Sequence, residues 1–223
     1  MGCPYRTIRL RKTLLILGLA PSVLMIVGLA VWRFWPAPPP SETLTFDIGG
    51  QRLRFASPYV RLPETIEPDR VDLVVRAPDF APAAATPARL PAAGEVDDKG
   101  RTQIFLTLTP APKLDRNAPP AERYAPFLAP EAQVTEGGLL RRRFEDNSPY
   151  AGEELYLSPP DGEVFFARCQ RPRIPSDGLP DACLSEFGAD GLMIQMRFDP
   201  VWLADWQHLR ANALQLAHSA KAP

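Results

Sequence analysis

Two hydrophobic patterns divide the chain. Near the start, Thr13 to Trp32 runs for twenty residues without a formal charge, inside the segment TLLILGLAPSVLMIVGLAVWRFW of residues 13–35. As a helix, that run spans about 30 Å, the hydrocarbon thickness of a bilayer. Beyond position 42 the apolar residues come in short alternating runs instead. Thr43 to Ile48 and Arg52 to Phe55 flank Gly49-Gly50, a tight-turn signal. RVDLVVRA (70–77) puts Val71, Leu73 and Val75 on one face, and Pro78 ends it for want of an amide hydrogen. TQIFLTLT (102–109) places Ile104, Leu106 and Leu108 together, with the Thr residues suited to the other face.

The second half repeats the pattern. LLRRRFE from Leu139, ELYLS (154–158) and EVFFARC (163–169) read as strands, with the turn signal Pro159-Pro160-Asp161-Gly162 between the last two. The last strand, Leu192 to Phe198, aligns Leu192, Ile194, Met196 and Phe198. Asp199 and Pro200 then cap and start a helix expected over 200–219, whose apolar stripe is Trp202, Trp206, Leu209, Ala213 and Leu216. Pro126 and Pro130 limit residues 119–130 to one or two helical turns around Ala121–Tyr124. Seven or eight strands and one terminal helix predict a mainly β fold: an antiparallel sandwich, or a curved sheet covered by the helix.

Charge orients the first pattern. Arg6, Arg9, Arg11 and Lys12 precede the apolar run, and Trp32, Phe34 and Trp35 follow it. This asymmetry predicts a single-pass inner-membrane anchor with the N-terminus cytoplasmic and the rest periplasmic. A cleaved signal peptide is the competing reading, since Gly28 and Ala30 fit a small-x-small site. The run is longer than an ordinary signal core, which favours the retained anchor. The expected organisation is a basic tail (1–12), an anchor (13–35) contacting the lipid bilayer, a stalk (36–42) and a periplasmic β-rich domain (43–223). Four prolines in Pro36-Ala37-Pro38-Pro39-Pro40 make the stalk a stiff spacer.

Composition narrows the function. The chain has 25 basic and 26 acidic residues; five of the basic ones precede position 41, so 20 against 26 leave the outer part near −6. No nucleic-acid partner is expected of such a surface. Proline, 27 of 223 residues, implies rigid loops between strands, while Asp79–Gly100, rich in Ala, Pro and charge, reads as an exposed excursion and the least ordered part of the domain.

Cys169 and Cys183 both lie outside the membrane in this topology and are read as a disulfide closing QRPRIPSDGLPDA. His208 and His218, ten residues apart on one helix, are too far apart to share a metal ion. Glu95, Asp97 and Asp98 lack calcium-loop spacing and read as a solvated loop tip. Arg141, Arg142 and Arg143 alternate faces along a strand, so they form no continuous stripe. They remain candidates for partner or phosphate binding beside ordinary edge protection, and Trp202 and Trp206 are candidate interaction residues if their stripe is not packed. No catalytic, cofactor or metal motif is present, so none of these is expected.

FFARCQRP (165–172), LPDACL (179–184) and GLMIQMRFDPVWLADW (191–206) resemble a group of uncharacterised proteobacterial single-span inner-membrane proteins, over Leu155 to about Leu214. The resemblance implies an inner-membrane setting and no chemistry. The reading is therefore a non-enzymatic, membrane-tethered interaction or accessory domain of an envelope assembly, whose partners are other membrane or periplasmic proteins. A ligand-sensing or carrier domain and a hydrolase of an envelope substrate are the alternatives.

Overall fold

A computed structural model describes residues 42–63, 67–83, 101–112, 118–171 and 182–221. The chain divides into Met1–Pro40 and Ser41–Pro223, and every described residue lies in the second unit. The expected anchor and most of the stalk lie outside the described residues. So do most of the Asp79–Gly100 excursion, with Glu95, Asp97 and Asp98, and most of the loop between the cysteines. Among the described residues no helix is long and apolar enough to cross a membrane.

The strands are β1 (Thr43–Ile48), β2 (Gln51–Ala56), β3 (Val71–Arg76), β4 (Ala81–Pro82), β5 (Gln103–Pro110), β6 (Leu128–Val134), β7 (Leu140–Phe144), β8 (Glu153–Leu157), β9 (Phe166–Gln170), β10 (Cys183–Ala189) and β11 (Leu192–Phe198). Helix α1 is Pro120–Tyr124 and α2 is Trp206–Ser219. Nine strands form one antiparallel sheet in the order β4-β3-β5-β11-β10-β9-β8-β7-β6, while β1 and β2 form a separate hairpin. That hairpin turns on Gly49 and Gly50, with φ of 58° and 78°, a pair of conformations that only glycine adopts freely.

One face of the large sheet carries the main core. Leu73, Val75, Ile104, Leu106, Leu108, Ile194 and Met196 bury there against Phe46, Ile48, Leu53 and Phe55 of the hairpin. Leu203, Trp206, Leu209, Ala213, Ala217 and Ala220 complete the cluster from the C-terminal segment. The hairpin and the end of α2 are stitched together, since Arg54 N donates to Ala220 O at 2.7 Å and Leu53 bridges Lys221.

Four expectations need correction. The 200–219 helix is two helices: Asp199 accepts from Val201 N at 2.9 Å, a 3-10 segment covers Pro200–Asp205, and the α-helix begins at Trp206. A 3-10 turn advances about 120° per residue, which turns Leu203 inward in place of Trp202, while Trp206, Leu209 and Ala213 are buried as the stripe predicts. Leu203 and Ala217 are buried where Trp202 and Leu216 were expected, and those two are only partly buried. Secondly, β6 forms through Pro130, because it is the sheet's edge and a register shift between Leu128 and Ala132 spares the missing amide. Thirdly, Cys183–Ala189 is a strand, so the sheet is larger than the pattern suggested. Fourthly, β9 starts at Phe166 rather than Glu163. Buried Ser158 holds the hairpin end, its Oγ accepting from Phe165 N at 3.0 Å and its own amide donating to Phe165 O at 2.9 Å.

Candidate interaction surface

Residues paired directly across antiparallel strands share a face, so the register decides what each side of the sheet presents. Seven successive pairings make one lateral row on the face opposite the main core. It runs Val74–Phe105–Arg197–Leu184–Arg168–Leu155–Arg142–Ala132, from β3 to β6. Three arginines thus alternate with apolar side chains across eight of the nine strands.

The two halves of this face differ. Over β7–β9 a second cluster of Tyr124, Leu128, Phe144, Leu155, Leu157 and Phe166 is packed under α1, with Phe127 and Tyr150 at its margin. Burial raises the Tyr124 hydroxyl above its usual pKa, and the nearby Arg168 charge partly opposes that. Arg168 lies 4.9 Å over the Tyr150 ring and 3.5 Å from Glu153. Arg142 Nη2 donates to Ala129 O at 2.6 Å, filling the place of a ladder bond at the β6 irregularity.

Over β3, β5, β11 and β10 the face is more open. Phe105 is 36% exposed, and Arg76 and Arg197 are exposed. Arg61 lies with its guanidinium 5.4 Å from the Phe105 ring centroid. Where the α1 cover ends, a cleft of about 380 Å³ opens between Pro119, Pro120, Arg123, Phe166, Glu186 and Met193. Its Arg123 is held by Ala118 O at 3.2 Å and lies 6.0 Å over Phe166.

The sequence candidates are scattered around this surface. Arg141 and Arg143 occupy the other face of β7, Arg141 bonded to Gln133 and 3.9 Å from Glu154, Arg143 exposed. Beside Arg141, Tyr156 donates to Glu154 at 2.9 Å; burial, then that bond, push its pKa up to about 12. Trp206 is 9% exposed, stacked on Phe165 at 5.0 Å, and donates Nε1–H to Gly137 O at 3.0 Å. Trp202 is half-buried and donates to Arg101 O at 2.7 Å. The two indoles therefore pin different segments to the C-terminal end.

Cys169 and Cys183 form the disulfide, as directly paired residues of β9 and β10 buried in the main core. His208 meets Asp205 at 2.5 Å, and His218 meets Asp190 at 2.6 Å. Asp190 also accepts from Lys221 at 2.8 Å, and these two partners hold its pKa below the usual carboxylate range.

No family model matches the chain, and no curated protein matches it. Two solved structures align with the chain. An immunity protein of the Stenotrophomonas maltophilia type IV secretion system aligns at TM-score 0.56 and 14% identity, over 81% of this chain and 94% of its own. The iron-regulated outer membrane lipoprotein FrpD of Neisseria meningitidis aligns at TM-score 0.39 and 13% identity, over 83% and 96%. At such identity the first likeness is one of fold.

Phe105 was the missed signal. In TQIFLTLT it stands on the face assigned to threonines, an apolar ring where the alternation calls for a polar side chain. Arg168 and Arg197 carried no such mark. Only the pairing of β9, β10 and β11 aligns them.

Proposed function

We propose that this chain is a membrane-tethered periplasmic domain that binds another protein on the open half of its sheet. The observation that carries the reading is the unequal cover of the two faces. The hairpin and α2 close one side, whereas the other leaves an aromatic ring among exposed arginines. Interface anchors are enriched in these residue types. The buried disulfide supports an exported domain, as such bonds persist in oxidising compartments. The charge bias around residues 13–35 supports the tether.

Affinity purification of the full chain from gently solubilised membranes tests this directly. A protein recovered in near-equal amount is the expected result; none, even after mild crosslinking, refutes the reading. A reporter fused after Ala222 is expected to report a periplasmic location, and its cytoplasmic activity would refute the topology.

The fold shared with an immunity protein favours a narrower version, in which the bound protein is a toxin. A strain lacking this chain would then be inhibited by contact with its toxin-secreting parent and rescued by a plasmid copy. Equal survival of the two strains refutes that version alone.

A further inference from the structure

Resting on the interaction reading above, we infer that the face centred on Phe105 and Arg197 docks an acidic surface of another protein. Phe105 is paired directly with Arg197 on β11 and with Val74 on β3, and cross-strand partners of this kind lie about 5 Å apart at Cβ. Arg76 projects from the same face of β3, two residues beyond Val74. Arg61 reaches the ring from the segment before β3 and covers it at 5.4 Å. Three arginines are therefore placed about one exposed aromatic side chain, Arg61 over its ring and Arg76 and Arg197 on neighbouring positions of the same face.

The local carboxylates are already engaged. Asp72 is held by Arg70 at 3.0 Å and by the Thr107 hydroxyl at 2.6 Å, and Glu186 accepts from Gln195 at 2.9 Å. Among the described residues the guanidinium groups of Arg76 and Arg197 have no hydrogen bond or ion pair. A positive patch on a domain of net negative charge selects an acidic partner and repels a basic one. Guanidinium groups match carboxylates bidentately, and the ring supplies a desolvated centre around which those pairs strengthen. A nucleic acid fits poorly, because the remaining surface of the domain is net acidic.

The test uses the tagged full chain from solubilised membranes and the protein that co-purifies with it. Arg197→Glu, Arg76→Glu and Phe105→Ala are compared with Gln207→Glu, a control on the exposed side of α2. Each of the three is expected to weaken binding about tenfold or more, and the control by less than about twofold. Raised salt is expected to bring the wild-type chain towards Arg197→Glu. A photocrosslinker at position 105 is expected to capture a peptide rich in Asp and Glu. Arg76 is exposed, so its variant keeps the test decisive if Phe105→Ala weakens the fold. Wild-type binding by Arg197→Glu and Arg76→Glu, or a captured peptide without carboxylates, overturns the surface while leaving the interaction reading intact. A partner that proves to be a second copy of this chain overturns it as well. Recovery of no partner by the wild-type chain overturns the interaction reading itself and this surface with it.

Discussion

Replacing Trp206 with Ala tests whether the C-terminal helix belongs to the fold. The indole is 9% exposed and lies over Phe165 at 5.0 Å with the ring planes 28° apart. Its N–H holds Gly137 O in the β6–β7 connection, where the backbone comes so close to the 3-10 segment that a Cβ on Gly137 would meet Leu203 O at 2.8 Å. Truncation leaves a cavity next to Phe165 and an unpaired carbonyl, so the expected loss is about 3–5 kcal/mol. With a urea slope of about 2 kcal/mol/M for a domain of this size, the midpoint falls by about 2 M. The assay is a urea melt of the full chain in mild detergent, followed by far-UV circular dichroism, with Trp206→Phe alongside. The Phe variant keeps a ring on Phe165 but loses the donor, so it is expected to recover more than half of the loss. Trp202→Ala, at a half-buried position, is expected to cost less than Trp206→Ala. An unchanged midpoint for Trp206→Ala would refute the packing, and with it the claim that this stripe is buried rather than offered to a partner.

Three further outcomes follow from the same structure. Thiol labelling of exported protein is expected to reach Cys169 and Cys183 only after reduction, and replacing both with Ala is expected to lower stability by about 2–5 kcal/mol; two free thiols without reductant refute the bond. Tyr156 has its folded pKa raised from 10.0 to about 12, so its contribution to stability is complete below the unfolded value and is lost as pH climbs between the two. Phenolate absorbance is expected to show late-titrating tyrosines, Tyr156 and Tyr124 among them, and one fewer of these in Tyr156→Phe. Asp190 has the opposite sign: its folded pKa is depressed by Lys221 and His218, so the stabilisation it gives is present above the ordinary carboxylate pKa and fades as pH falls through the folded one. Melts at descending pH are expected to show a shallower acid dependence for Asp190→Asn, and identical profiles would refute the clamp at the end of α2.

The strands that face the main core were legible because a period of two with a buried side writes itself into the chain. Val71–Leu73–Val75, Ile104–Leu106–Leu108 and Leu192–Ile194–Met196 each mark the core face without reference to any neighbour. The Gly49-Gly50 hairpin and the Asp199 cap were legible for the same local reason: turn and cap chemistry acts over two to four residues. Edge strand β6 was hidden, since exposure on nearly every side chain removes the apolar alternation, and the edge position excuses the amide that Pro130 lacks. Strand β10 was hidden by its setting, because it starts at Cys183, directly after the loop that the disulfide closes. The phase of the last helix was legible at Trp206, Leu209 and Ala213; only ahead of it did a 3-10 segment change the angle per residue and turn Leu203 inward in place of Trp202. Above all, the Arg142–Arg168–Arg197 row does not exist in one dimension. Those residues are 26 and 29 positions apart in turn, and shifting any strand in the ladder by one residue would send its member to the opposite face. Local sequence determined which segments form strands and which side of each is buried; only the assembled register decided which charges and rings meet on the side left open.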